Sequence, residues 1–502
     1  MSAAATTTRR EVTWNLVLQY SGLGFMLVQG VVLVPIYLRH VGSAEFGLWL
    51  IAGGVALWIG ILDPGISALM QQRVSLALGS DRPGRAVGLA RRGLRLNAVL
   101  AAVMIVAGAV TAGWIARLID PGATVAARTG WWLVFLSVAG VAAGLMANAI
   151  TCLGVALRAA RTHTLVTIGS ALAGLTATLG GLALGWGVLA LPLGVVVRWV
   201  LQLLGATPFV LRDLATLPPS EREIPSVDSL SLDRRVLAWA AWDKITGTVA
   251  MSADLLLIGR RFEAAAVTSY ALTKRPVDLL LSLFQRPGVA LAPTVGFLRG
   301  GARTGELAGL VAVAAMRLSW LLGAATLGTI LWLEPLVGWW VGPAQFLGRD
   351  AAGILAIGLA VNVFSGLFAQ LYFASGATIA YYQINGALSL LAIAGMVIGL
   401  HVSGLAGLMI GAVLPRALVA LWLFPRLALE RLCVAAPERR MIAGELAAAV
   451  TAAGTGLAAA WLVPGGMGLR GLVGLFAYAL VLGALSHRLR AMLRGFSGAG
   501  AT

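Results

Sequence analysis

Charge is what this chain has least of: Asp, Glu, Lys and Arg together make up 11% of its 502 residues. Soluble domains carry roughly 25% charged residues, and a soluble chain this poor in them could not cover its surface with polar groups. Lysine is scarcer still, occurring only as Lys244 and Lys274, with arginine supplying every other basic side chain. Neither lysine has the glycine-rich context that cradles a nucleotide phosphate, which excludes an ATP-driven pump on this chain. The 2 cysteines, Cys152 in an apolar run and Cys433 in a loop, imply neither a disulfide framework nor a metal site. The 4 histidines (His40, His163, His401 and His487) fall far apart near the ends of apolar segments. They are expected at the membrane interface rather than as ligands. No cofactor motif is present.

Acidic residues are also short, 20 against 37 Lys and Arg, for a net charge of +17. Most arginines sit in short loops between apolar runs. That distribution fits the positive-inside rule of membrane topology and not a nucleic-acid surface.

What remains is apolar: 59% hydrophobic residues and a mean hydropathy of +0.90. Lipid must be the solvent for much of such a chain. A spanning helix needs roughly 20 apolar residues. Apolar windows predict spans over 13–38, 46–70, 96–116, 130–157, 163–185, 188–211, 236–258, 265–296, 308–333, 351–374, 380–400, 403–425, 446–463 and 471–487. The expected fold is therefore an all-α polytopic membrane protein of about fourteen transmembrane helices. Arg9 and Arg10 precede the first span, which is too long for a cleaved signal peptide and is expected to be retained.

With both termini cytoplasmic, about 23 basic residues fall in inner loops, Arg73, Arg158 and Arg161 among them, and about 7 in outer ones. The longest inner break in mid-chain carries Pro218, Pro219 and mixed charge. It divides the chain into an N-terminal six-helix bundle (1–212), a linker (213–235), a second six-helix bundle (236–428) and two additional C-terminal helices with a tail (429–502). A brief internal match, Asp63-Pro64-Gly65-Ile66 against Arg286-Pro287-Gly288-Val289, supports two repeated bundles.

Ionisable groups at membrane depth are functional candidates because insertion costs about 2.5–3.5 kcal/mol each. The predicted spans enclose the bases Arg198, Lys244, Lys274, Arg275, Arg286, Arg317 and Arg416, and the acids Asp63, Asp243, Asp254 and Asp278. The basic excess suits an anionic cargo. On the eighth span, Lys274, Arg275, Asp278, Ser282, Gln285 and Arg286 fall within about 120° of helical arc. In one reading, Lys274, Arg275 and Arg286, with Lys244 on the seventh span, hold a diphosphate, for which the guanidinium fork is well shaped. In the other, Lys274 and Asp278 neutralise each other at i, i+4 and Arg286 reaches for headgroups.

Asp243 and Asp254 share a face of the seventh span. They are candidates for ion coupling or for static pairing with a base on the eighth. Asp63, before a proline, positions a helix break or couples an ion. Asn15 and Gln19, at i and i+4 on the first span, either contact glycan hydroxyls or bond between helices. Tyr381 and Tyr382 fit an interfacial aromatic belt.

Several stretches also carry a family resemblance. Val34-Pro35-Ile36-Tyr37-Leu38-Arg39, Gly42, Glu45-Phe46-Gly47-Leu48-Trp49 and Leu62-Asp63-Pro64-Gly65 resemble the opening of bacterial polysaccharide flippases of the O-antigen type. Those flippases belong to the multidrug/oligosaccharidyl-lipid/polysaccharide exporter superfamily. Ala253-Asp254-Leu255-Leu256-Leu257-Ile258-Gly259 with Tyr270 is similar to the family's second opening segment. The resemblance implies a non-enzymatic, multi-pass protein of the bacterial inner membrane. It implies an isoprenoid-diphosphate-linked oligosaccharide as substrate, alternating access as mechanism, and membrane lipid and the polysaccharide polymerase machinery as partners. Two alternatives carry different chemistry. A drug/cation antiporter of the same superfamily would need acidic cavities. A membrane glycosyltransferase or polysaccharide ligase would need catalytic acids in outer loops, which are short here.

Overall fold

A computed structural model describes residues 3–29, 33–42, 45–46, 48–49, 52, 65–119, 126–218, 234–262, 264–464 and 467–486. Almost all of them are helical. Inside a bilayer no water is present to satisfy free N–H and C=O groups, so a chain this apolar must close its backbone hydrogen bonds within each segment. The helices are α1 (Ala3–Leu27), α2 (Val34–Val41), α3 (Ile66–Gly79), α4 (Pro83–Ile119), α5 (Ala127–Ala156), α6 (Ala160–Ala183), α7 (Ala190–Ala215) and α8 (Arg234–Arg261). They continue as α9 (Ala264–Gly300), α10 (Thr304–Val341), α11 (Arg349–Ala374), α12 (Thr378–Pro415), α13 (Leu421–Arg431), α14 (Ala436–Leu462) and α15 (Met467–Leu485).

Among the described residues, 9 helical stretches are long and apolar enough to cross a membrane. They account for the predicted third to sixth and ninth to fourteenth spans, the eleventh and twelfth being merged into one stretch, Thr378–Arg431. The predicted seventh and eighth spans are the long helices α8 and α9, which are not among those 9 stretches and carry Asp243, Lys244, Asp254, Lys274, Arg275, Asp278 and Arg286. The protein is an all-α, multi-pass membrane protein. In α4 and α14 arginines cluster toward the N-terminal end (Arg85 and Arg91, Arg439 and Arg440) and an exposed tryptophan lies toward the other (Trp114, Trp461), with Arg117 beside Trp114 in α4. Headgroup-level indoles opposite a basic end are what a spanning helix requires.

The chain forms two compact units that interleave in sequence. Unit 1 comprises Met1–Ile245, Ala290–Ala302 and Phe373–Tyr382, and unit 2 comprises Thr246–Val289, Arg303–Tyr372 and Gln383–Thr502. In unit 1, α5 packs against α4 and α7, and α6 against α1 and α7. One core surrounds Leu133, Val138, Met104 and Leu191. A second surrounds Leu69, Met70, Leu153 and Val210 and includes Phe373 and Tyr382. Tyr382 is therefore a core residue, 6% exposed and ringed by Phe373 and Tyr381, rather than part of an interfacial belt. In unit 2, α14 and α15 dock on α10. The Trp320 indole donates to Glu445 at 2.8 Å, and the Tyr478 hydroxyl donates to the Trp320 carbonyl.

The predicted separation of spans eleven and twelve is a break inside α12. Ser403 and Gly404 leave helical geometry, Gly404 with φ 62. The two arms fold back so closely that a Cβ on Gly399 would lie 2.0 Å from the Gly407 carbonyl, and one on Gly395 2.5 Å from that of Gly411. Two glycines four residues apart on each arm are a small-residue seam, which lets helix backbones touch in lipid.

Gly399→Val or Gly407→Val should therefore separate the arms and lower stability by about 2 kcal/mol or more, by overpacking. Gly366→Ala, where an added Cβ meets nothing within 4 Å, is the control. Thermal unfolding in detergent decides: equal melting temperatures for all three variants would refute the seam.

Candidate functional site

The polar residues of α9 sit where the helical arc places them, and the structure assigns them unequal roles. Asp254, on α8, is buried. Its Oδ2 accepts from the Lys274 ammonium at 2.7 Å and from the Tyr270 hydroxyl at 2.9 Å. The same ammonium lies 3.7 Å from Asp278, one turn further along α9. Side-chain exposure rises outward through the group, from 7% at Asp254 to 27% at Lys274 and 50% at Asp278. Lys274 also approaches the Tyr270 ring face, 5.7 Å from its centroid. The group rests on a core of Ile258, Met396, Leu408 and Met409.

Threonine and serine fix this end of α9 to the α10–α11 connection. Ser269 donates to the Gln345 side chain at 3.1 Å and Thr273 to the Gln345 carbonyl at 3.2 Å. The Leu347 amide in turn donates to Thr273 at 3.1 Å. Lys274 is thus held between two carboxylates by a rigid frame, the static pairing open in the sequence for Asp254. An ammonium so engaged has little capacity left for a phosphate.

Arg275 differs. It is exposed and makes no ion pair among the described residues. Arg286 is half-buried eleven residues later, about 16 Å along the helix at 1.5 Å per residue. Ser282 and Gln285 lie between them, half-buried and exposed. The structure thus brings together Asp254, Tyr270, Lys274 and Asp278 and leaves Arg275 accessible beside them.

Asp243 is half-buried and Lys244 exposed, both on the part of α8 that belongs to unit 1. Asp63 lies outside the described residues. Asn15 is 4% exposed and its amide donates to the Ala290 carbonyl at 3.5 Å, which is the interhelical alternative. Gln19 is half-buried.

Sequence reasoning missed three placements. Arg73, expected in an inner loop, is 1% exposed within α3 and donates to the Thr378 hydroxyl; the helix simply continues past the end of the apolar window. His163, expected at the interface, is 1% exposed. Its ring occupies the space over Gly154, where a Cβ would come 1.8 Å from Nε2. Arg198, unplaced from sequence, is clamped between Phe25 and Trp199, 4.5 Å from each ring centroid. Of the other isolated arginines, Arg416 donates to the Asn362 side chain at 2.6 Å and Arg317 is exposed. A glycine four residues before a turn, as at Gly154, was the one available sequence signal.

No family model matches the chain, and no curated protein matches it. Solved structures do. A transporter from Vibrio cholerae, the MATE transporter VcmN in its bent form, superposes with a TM-score of 0.61 at 15% identity, covering 87% of this chain and 98% of that one. A multidrug-resistance MATE family transporter of the MOP superfamily, in an outward-facing conformation, gives 0.67 at 16%, covering 86% and 99%. A MOP superfamily transporter from Pyrococcus furiosus, described as having a binding pocket of reverse polarity that suggests a different function, gives 0.65 at 15%, covering 88% and 96%. The chain has the fold of these membrane transporters.

Lys274→Met leaves Asp254 buried without its ammonium, and removing one partner of a buried pair costs about 3–5 kcal/mol. Asp254→Asn together with Lys274→Met should recover much of that loss. A double-mutant cycle on unfolding measures the coupling; additive single effects would show that the two do not act as a pair.

Proposed function

We propose that this protein flips isoprenoid-diphosphate-linked oligosaccharides across the bacterial inner membrane by alternating access, for surface or exopolysaccharide biosynthesis. One observation carries the reading. Lys274 bridges the carboxylates of Asp254 and Asp278, while Arg275 stands exposed and unpaired beside them among the described residues. Arg275 offsets the one negative charge that this trio keeps, and Arg286 on the same helix brings the stretch to a net positive charge. An arginine fork fits a diphosphate oxygen pair, and Arg286, about 16 Å further on, supplies a second station on the same helix. Lys274 then acts by holding α8 and α9 in register, and Asp243 and Lys244 remain candidates for coupling and contact.

The reading places both termini in the cytoplasm and makes the polymerase machinery a neighbour. A fold shared with drug exporters does not fix the charge of the cargo, which depends on the side chains that meet it.

Export of drug cations is the second reading, and the named structural relatives favour it about as well. It requires a carboxylate released from its base during the cycle. A membrane glycosyltransferase or ligase finds no counterpart among those relatives.

Reconstitution in liposomes separates the readings. Lipid-linked oligosaccharide should become accessible to a lectin on the far face, and Arg275→Ala with Arg286→Ala should slow this at least about ten-fold, roughly 1.4 kcal/mol of lost stabilisation. Uptake of an organic cation against a proton gradient, with no lipid flipped, would replace this proposal with the antiporter.

A further inference from the structure

A second basic site lies in unit 1, remote in sequence from α9's charged stretch. The three-residue connection between α5 and α6 is tight. The Ala159 amide bonds back to Gly154 at 2.9 Å, and Arg158 takes φ 66, the left-handed conformation that caps a helix end. That turn points the arginine back across α5. Its guanidinium comes 4.5 Å from the centroid of Phe297, on the final turns of α9 that belong to unit 1. In the first turn of α6, Arg161 sits 5.8 Å from the centroid of Trp14 on α1. With Arg10 these side chains line a cavity of about 410 Å³ whose remaining walls include Glu11 and Thr162.

The charges of this cavity are not balanced. Arg10, Arg158 and Arg161 make no ion pair among the described residues, and Glu11 is the only acid in the lining. Burial pushes the Glu11 carboxyl above its ordinary value, against the pull of Arg158 and Arg10. Its Oε2 is buried without a hydrogen-bond partner. Deeper in, Asn15 is 4% exposed with its Oδ1 unmatched, and it lines a narrow extension shared with Glu11 and Arg158. On the other side of Arg158 a cavity of about 580 Å³ carries Asp81 and Asp213. Arg158 therefore separates a basic chamber from an acidic one.

Aromatic faces hold the guanidinium planes of Arg158 and Arg161 without using up their N–H donors. Two aromatic-backed forks and the exposed Arg10 around one cavity are suited to a doubly or triply charged oxyanion. The chamber falls within the range of ligand pockets, about 300–1,000 Å³. We infer that this chamber binds the phosphate of a lipid headgroup. Two lipids present that chemistry: an anionic phospholipid of the surrounding bilayer and an isoprenoid diphosphate. The inference does not depend on transport through α9.

The test uses the full chain in phosphatidylcholine nanodiscs and measures equilibrium binding of radiolabelled farnesyl diphosphate, with phosphatidylglycerol added to the discs or inorganic diphosphate to the buffer as competitors. Arg158→Gln with Arg161→Gln should weaken the site about ten-fold. Arg10→Gln, at an exposed position, should weaken it about three-fold while leaving the fold untouched. Arg275→Ala with Arg286→Ala should leave this site intact, which separates it from the transport reading. Competition by phosphatidylglycerol assigns the site to bilayer phospholipid. Farnesyl diphosphate binding that phosphatidylglycerol does not displace assigns it to the isoprenoid diphosphate. Either outcome supports a headgroup site. Overturning it takes one of two results: no binding of farnesyl diphosphate, or binding unchanged in both arginine variants.

Discussion

Lipid offers no partner for a charge or for a free peptide group, and the rest of the structure follows from that constraint. Backbone groups are satisfied by long helices. Charged side chains must be satisfied by one another, by aromatic faces, or by something that enters. Asp254 shows the first solution, with an ammonium and a phenol donating to one carboxylate oxygen. Arg198, between Phe25 and Trp199, shows the second. The arginines Arg275 and Arg158 have neither a paired acid among the described residues nor full burial.

Helix packing obeys the same solvent. Lipid tails give apolar side chains no reason to leave them for one another, so close contact depends on shape. Unit 2 uses glycine seams, seen where Gly399 meets Gly407 and where Gly456 meets Gly474. Polar pins act where shape alone would leave helices free to slide. Glu445 on α14 and Tyr478 on α15 both reach Trp320 of α10. These contacts place the two C-terminal helices against α10 as a built part of unit 2.

The charged groups divide by what surrounds them. Lys274 sits in a frame of Asp254, Asp278 and Tyr270 braced by the Gln345 connection, a geometry that resists change. Arg158 sits on a short turn between two cavities. A paired lysine ties two helices together, and an arginine at a cavity wall keeps its donors exposed to the cavity. The same residue type carries different work according to whether a carboxylate lies within reach.

Much of this was legible without coordinates. The apolar windows marked nearly every helix, because spanning length and backbone satisfaction are properties of local composition. The break near Ser403 showed as a dip between two windows. The α9 arc followed from helical period alone. Three placements needed the tertiary structure. Arg73 read as a loop residue because hydropathy windows end where polar residues begin, whereas the helix went on and Thr378 came to meet it. His163 read as interfacial because it stands at the start of an apolar window, and Gly154 shows only in the packed structure that it makes room for the ring. The pairing of Lys274 with Asp254, twenty residues away on another helix, depended on how α8 and α9 pack. Sequence by itself determined the solvent, the helices and the excess of positive charge, since each is set by residues close together in the chain. Which of those charges find a partner and which stay unpaired was decided only by tertiary structure, because charge pairing depends on distances of a few ångströms between distant segments.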